Sequence, residues 1–219
     1  MLRTSRIFKV VVGATAVAAL SLPLAACSSS DAADSGNSKP SPAAKIDNLS
    51  GDSTQVTLDQ GFVDALTSLK LTPGVVGDAT LADGAVTFPI TGGNVTYYKP
   101  GSIDPYVQGL IEHDGSGLSL TAGATKVELT NFEVDPGSSK LFGDVLVNGK
   151  EAAPHAQLFN LDGRTLKPLQ TGPNNTAILA GTKVTISADA AGLLNQTFKT
   201  DAVKAGLLVG VAKITVNTK

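Results

Sequence analysis

The chain of 219 residues contains one cysteine, one methionine and no tryptophan. A single cysteine cannot form an intrachain disulfide. The chain has only two histidines, and together with one cysteine they cannot supply a typical zinc site without carboxylates. Charged residues make up only 16% of the chain, and the 19 acidic residues outnumber the 17 basic ones. No basic patch stands out, which argues against nucleic acid or an anionic membrane face as a partner.

The chain also lacks an apolar run long enough to span a membrane. Its most apolar stretch is short and lies close to the N-terminus. Arg3, Arg6 and Lys9 precede an apolar stretch from Val10 to Leu22. A membrane-spanning helix needs roughly 20 apolar residues, so we expect none here. A positive segment followed by a short apolar one is typical of an export signal. The sequence therefore predicts a protein whose folded part lies on the extracytoplasmic side.

The only cysteine ends the segment Leu24-Ala25-Ala26-Cys27, directly after this apolar stretch. The segment resembles the lipobox of bacterial lipoproteins. That resemblance implies that the signal peptide 1–26 is removed and that Cys27 is acylated, so that its lipid holds the protein on the cell membrane. One acyl chain anchors only marginally, and the two chains of a diacylglyceryl group give stable anchoring. The alternative is an ordinary secretory signal in which Cys27 has no role.

The composition changes twice after the cysteine. Residues 28–54 are rich in Ser, Ala, Asp, Gly and Pro and carry almost no bulky apolar side chains. Such a segment cannot bury enough surface to offset its loss of conformational entropy. We therefore predict that residues 27–54 are the lipidated cysteine and a disordered tether, and that residues 55–219 are a single β-rich domain.

Within residues 55–219, Gly is frequent and Val, Leu and Thr dominate, which is typical of β-structure with tight turns. Short alternating segments predict an antiparallel β-sandwich or flattened barrel of about nine to eleven strands. Apolar residues at helical spacing predict two short capping helices, at Asp59 to Leu69 and at Ser187 to Phe198. Asp59 and Ser187 are suited to cap the N-termini of these helices.

A hairpin is predicted in the first half of this domain. Ala85 to Ile90 alternates between apolar and other residues, and Pro89 lacks an amide donor, so we expect an edge strand. Thr91-Gly92-Gly93 then predicts a turn that pairs this strand with Asn94 to Lys99.

Three further segments carry local predictions. Asp114-Gly115-Ser116-Gly117 lacks the alternating acids of a calcium loop and is predicted to be a turn between two strands. The apolar alternation of the following strand slips by one residue at Thr130-Asn131, which indicates a β-bulge. Leu166 to Leu169 is predicted to be a short strand.

No sequence motif of a known catalytic class is present, whether Gly-x-Ser-x-Gly, Walker, Rossmann or His-Glu-x-x-His. We therefore expect a non-catalytic binding, adhesive or structural module without a cofactor, whose ligand is an unknown protein or small molecule. A carrier of a small ligand is the second hypothesis, and an envelope hydrolase with a scattered active site is the third.

The carrier hypothesis depends on one stretch that contains all three tyrosines and one of the two histidines: Tyr97, Tyr98, Tyr106 and His113. With the Gly-x-Val-x-Phe pattern at 84–88 and with Gly92-Gly93, this region resembles the haem-binding domains of actinobacterial surface proteins of the haem-transport A type. The resemblance implies a tyrosine that ligates haem iron and a histidine that supports it. The alternative is that the tyrosines are ordinary strand residues and that His113 lies at the surface or at a strand end.

Overall fold

A computed structural model describes residues 40–219. The predicted signal peptide, Cys27 and most of the predicted tether lie outside the described residues. The described residues belong to one compact unit, and none of its helices is long and apolar enough to cross a membrane.

The described residues form thirteen strands and two α-helices. The helices are α1 (Gln60–Ser68) and α2 (Ala188–Phe198). The strands are β1 (Ala44–Ile46), β2 (Asp52–Leu58), β3 (Thr72–Gly77), β4 (Thr80–Ala82), β5 (Ala85–Pro89), β6 (Gly92–Tyr97), β7 (Val107–Ala122), β8 (Thr125–Asp135), β9 (Lys140–Val147), β10 (Lys150–Asp162), β11 (Gln170–Gly172), β12 (Thr176–Ile186) and β13 (Leu208–Asn217).

All thirteen strands belong to one antiparallel sheet, and eleven of them follow the order β1-β6-β7-β8-β9-β10-β12-β13-β2-β5-β4, while β11 pairs with β12 beside this path. β3 pairs with the second half of β7, whereas β6 pairs with its first half. The sheet curls until β2 faces β7, where the side chains of Thr54 and His113 meet at 2.8 Å. The prediction of a mainly antiparallel β fold with two short helices is confirmed, and of its two forms, a β-sandwich or a flattened barrel, the curled sheet corresponds to the barrel.

Both predicted helices form, and their caps are the predicted ones. The Asp59 carboxylate accepts a hydrogen bond from the amide of Gly61 at 2.9 Å. The Ser187 hydroxyl accepts one from the amide of Ala190 at 3.0 Å. Each cap satisfies an amide that the first turn of a helix leaves without a partner, which is why both helices begin where they do.

The two helices begin at the same end of the sheet. β2, which precedes α1, pairs Leu58 with Gly210, and β12, which precedes α2, pairs Val184 with the same Gly210. α2 then packs on β8 and β10, with Leu194 among the buried residues. The helices therefore fill one end of the curled sheet.

The predicted bulge in β8 is confirmed, and hydrogen bonds link it to a bulge in β7 and, across β9, to a third in β10. Asn131 has φ 52°, and its side chain accepts from the amide of Gly115 in β7 and donates to the Asp144 carboxylate in β9. That carboxylate also accepts from the amide of His155 in β10 at 2.9 Å. The hydrogen bonds from Asn131 and from His155 lower the pKa of Asp144. Bulges bend strands and increase their twist, so this row marks where the sheet curls.

The predicted hairpin is wrong. β5 pairs with β2 and β4, while β6 pairs with β7 and β1. β5 is not an edge strand, because it lies between β2 and β4. Its pairing with β4 ends at Thr87, so on that side Pro89 needs no amide donor. Gly93 has φ 103°, and a Cβ there would collide with the backbone of Leu110 in β7. The glycine thus permits close strand pairing and does not make a turn.

Two other local predictions fail. Residues 114–117 lie inside β7, where the pairing with β8 shifts between His113 and Gly117. The amide of Asp114 donates to the Thr91 hydroxyl at 2.9 Å, which satisfies a group that the bulge leaves without a strand partner. Residues 166–169 form no strand and belong to a loop.

The first strand of the described residues lies inside the range predicted as tether. Ala44–Ile46 forms β1 on the edge of β6, and Asp52 already belongs to β2. Leu49, between them, is 5% exposed and joins the core. The tether prediction rested on average composition, which obscured Ile46 and Leu49 among their polar neighbours.

Candidate functional site

The concave side of the sheet encloses a cavity of about 1030 Å³. This is the size of a pocket for a small molecule. Residues from ten strands line it, and most of them are apolar. The apolar residues that line its inner part include Val56, Val86, Phe88, Ile111, Phe132, Val184, Val209 and Ala212.

One end of the cavity is formed by loops, and we call this end the mouth. It comprises Tyr97, residues 104–106, Pro136 with Ser139, and residues 160–164 with Leu166 and Leu169. These segments follow the ends of β6, β8 and β10, or precede β7 and β9. The opposite end is the one that the helices fill.

Aromatic rings form a band across the cavity wall. Phe88 lies edge-on to Phe132 with ring centres 5.2 Å apart, and Phe132 lies edge-on to Phe159 at 6.4 Å. Phe88 is also edge-on to His113 at 6.3 Å. Edge-to-face contacts of this kind fix ring orientations beyond what burial alone does. The band therefore gives the apolar wall a defined shape.

His113 is a buried residue in the middle of β7, only 1% exposed, and not a surface or strand-end residue. Its Nδ1 lies 3.2 Å from the Phe132 carbonyl and its Nε2 lies 2.8 Å from the Thr54 hydroxyl. A carbonyl can only accept, so Nδ1 carries the hydrogen and Nε2 accepts from Thr54. Burial lowers the pKa of His113 to about 4, although the Phe132 carbonyl opposes the shift. The ring is neutral at pH 7 and has no free nitrogen.

Two of the three tyrosines, Tyr97 and Tyr106, lie together at the mouth and line the cavity. Their rings are nearly perpendicular, with centres 5.7 Å apart. Burial raises the pKa of Tyr106, and Tyr97 adds to the shift. Tyr98 is 7% exposed and does not line the cavity, because alternation along the chain turns it to the other face. The structure thus brings Tyr97, Tyr106 and His113 to one cavity and excludes Tyr98.

These residues fit haem in part. The cavity offers apolar walls and two phenol groups, and a phenolate can ligate haem iron. The histidine implied by the resemblance is differently placed, because His113 bonds to Thr54 and Phe132 and, among the described residues, to no tyrosine. No group of three or more His, Cys, Asp or Glu in residues 40–219 could hold a metal ion.

Charged groups occur on the cavity wall mainly at the mouth. The Arg164 Nε and Nη2 donate to the two oxygens of Asp162 at 2.9 and 3.0 Å. Arg164 holds the pKa of Asp162 at about 2. Lys45 of β1 and Asp104 also line the cavity. An anionic and a cationic group thus lie on each side of the mouth.

Sequence reasoning missed the loop 163–169, which supplies Arg164, Leu166 and Leu169 to the mouth. Leu166 to Leu169 was predicted to be a short strand. Gly163 before this segment and Pro168 within it are the signal that could have indicated a loop.

Solved structures share this fold. The crystal structure of the C-terminal domain of HtaA from Corynebacterium glutamicum has a TM-score of 0.52 and 14% identity, covering 78% of this chain and 97% of that one. The N-terminal domain of HtaA from the same organism has a TM-score of 0.50 and 11% identity, covering 78% and 99%. The heme binding protein HtaB from that organism has a TM-score of 0.44 and 10% identity, covering 80% and 96%. The two similarities with a TM-score of 0.50 or more show the fold alone.

Comparison with protein-family models and with curated proteins returns no match.

Proposed function

We propose that this protein is a lipid-anchored, non-catalytic carrier on the extracytoplasmic side of the cell membrane, and that it holds a mostly apolar small molecule inside its curled sheet. The observation that carries the proposal is the cavity of about 1030 Å³ with predominantly apolar walls. A protein that served only adhesion or structure would gain stability by filling that space, since empty apolar cavities are destabilising.

The polar groups of the cavity favour binding over hydrolysis. A hydrolase needs a nucleophile beside a general base. His113 is the histidine on this wall, and it hydrogen-bonds through both nitrogens to neighbours inside the protein. Its lowered pKa also makes it a weak base at neutral pH. The wall therefore suits a ligand that is held and released unchanged.

Haem is the first ligand to test. The resemblance in sequence points to it, and Tyr97 and Tyr106 are the side chains at the mouth that could ligate iron. When bound, haem would supply a metal centre that residues 40–219 do not form by themselves. Tyr98 faces away from the cavity and is not part of this proposal.

Titration of the full chain with hemin is expected to give a Soret band that saturates at one hemin per protein. Replacing the ligating tyrosine, in Tyr106→Phe or Tyr97→Phe, is expected to weaken binding by about tenfold or more, because the iron loses its protein ligand. Tyr98→Phe is the matched control and should leave the titration unchanged.

An unchanged Soret band in the double variant Tyr97→Phe/Tyr106→Phe would reject tyrosine ligation. If hemin gives no band, fluorescence of the apolar probe N-phenyl-1-naphthylamine reports whether the cavity takes another apolar molecule. Failure of both ligands to bind rejects the carrier.

The anchor is supported by Leu24-Ala25-Ala26-Cys27, where the sole cysteine occupies the position that lipidation requires. Cys27→Ser is expected to release the protein into the medium or to leave it as unprocessed precursor, because the acyl chains can no longer be attached. Membrane fractionation and mass spectrometry of the native product check this. Ser28→Ala, one residue on, should stay on the membrane. Normal processing and retention of Cys27→Ser would contradict the anchor.

A further inference from the structure

We propose that the mouth of the cavity docks on an anionic lipid bilayer, the surface of the membrane that holds the anchor. The proposal rests on the lipid anchor at Cys27 proposed above, and it adds which end of the domain meets the membrane.

The chain enters the fold at the mouth. β1 pairs Ala44 with Tyr97, the last residue of β6, and Ile46 with Val95 further along. The amide of Ala43 donates to the Tyr97 carbonyl at 2.8 Å. Since Tyr97 lines the mouth, the segment from Cys27 joins the domain at this end and not at the helix end.

The connection from Cys27 to Ala43 is short compared with the domain. It spans sixteen residues, which reach at most about 55 Å when fully extended. For the flexible coil that its composition predicts, the r.m.s. span is roughly 22 Å. A domain of this length has a radius of gyration of about 16 Å. The mouth, where this connection joins the domain, is therefore confined closer to the bilayer on average than the helix end.

The loop 163–169 at the mouth has the chemistry of a membrane-surface contact. Leu169 is 38% exposed, one of five large apolar side chains in residues 40–219 that are at least 36% exposed. Leu166 is half-buried beside it, and Arg164 and Lys167 are exposed. The loop contains no acidic residue. Leucines that enter the interface and basic groups that meet anionic headgroups are the combination that surface-bound segments use.

Electrostatics alone would bind this loop only weakly. A basic residue near an anionic surface contributes about 1 kcal/mol, and the Arg164 guanidinium already bonds to Asp162. The two leucines and the tether therefore contribute most, because burial of apolar surface adds to the high local concentration set by the anchor.

The test uses the acylated full chain in vesicles of phosphatidylcholine and phosphatidylglycerol that carry a nitroxide-labelled lipid. Cys27 is the only cysteine and its sulfur is blocked by the lipid, so a second cysteine takes a single fluorophore. Pro168→Cys places the fluorophore in the loop. Ala124→Cys places it at the exposed β7–β8 turn, at the helix end. We expect roughly twofold quenching at 168 and almost none at 124.

The change of both leucines, Leu166→Ser and Leu169→Ser, should reduce quenching at 168 to the level at 124. Equal quenching at the two sites, or quenching at 124 alone, overturns the docking geometry. Absence of quenching at both sites in a chain retained on the vesicles overturns docking and leaves the anchor and the carrier intact. A chain that is not retained on the vesicles overturns the anchor and docking together, whereas the hemin titration decides the carrier separately.

Discussion

Replacement of His113 by alanine is expected to lower the free energy of unfolding by about 3 to 5 kcal/mol. The substitution empties the space of a fully buried ring. It also leaves the Phe132 carbonyl and the Thr54 hydroxyl without their partner across the interior. The cavity and the two lost hydrogen bonds add up, because the His113 ring of β7 is the side chain that bonds to Thr54 of the facing strand β2. Urea unfolding of the two proteins at pH 7 measures the difference.

The second histidine provides the control. His155 is mostly exposed, stacks on Phe142 at 4.8 Å and lies 3.7 Å from a Glu133 oxygen. Because its ring is at the surface, His155→Ala should cost no more than about 1 kcal/mol. Equal losses for the two alanine variants would show that His113 is not a link between the facing strands.

The second large effect concerns the cavity. Leu179→Glu is expected to weaken binding of an apolar ligand by about 100-fold, whether the ligand is hemin or N-phenyl-1-naphthylamine. Leu179 lines the cavity and is only half-buried, so the unoccupied protein can hydrate the new carboxylate. A bound apolar ligand would exclude that water at a cost of about 3 kcal/mol, which corresponds to this factor.

Ala180→Glu is the matched variant on the same strand. Ala180 pairs with Lys213, is half-buried like Leu179 and does not line the cavity. It should bind the ligand as the unsubstituted protein does, and both variants should keep a similar melting temperature. Ligand binding that is equally strong in Leu179→Glu would place the ligand outside the cavity.

Features that depend on neighbouring residues could be predicted from the sequence. Asp59 and Ser187 predicted where both helices begin, because a capping residue and the apolar spacing that follows it are local properties of the sequence. The bulge at Asn131 was predictable for a similar reason. A residue inserted into a strand shifts the alternation of its apolar side chains, and that shift is visible in the order of the letters.

Choice of strand partner could not be predicted in the same way. Gly92 and Gly93 are typical of a turn, and nothing nearby shows that they instead let β6 approach β7. The Asp114 to Gly117 segment likewise has the composition of a turn. Its extended path depends on Thr91 and Asn131, which are distant in sequence and hold its amides.

The candidate site was predictable only as a set of residue types. Alternation indicated which side chains face inward, but the space left between them depends on how far the sheet curls. Tyr97 and Tyr98 show the limit: adjacency in sequence could not decide which of them lines the cavity, and the structure selects Tyr97. The contribution of β1 was hidden because its three residues lie in a polar context.

The bulges at Gly115, Asn131 and His155 have a consequence for how the volume of the cavity can vary between related proteins. Asn131 and Asp144 join three neighbouring bends with hydrogen bonds, yet neither side chain lines the cavity. The curvature of the sheet, and with it the width of the cavity, therefore depends on residues that do not line the cavity. Substitutions at Asn131 and Asp144 can therefore enlarge or narrow the cavity in related proteins while the residues that line it stay the same.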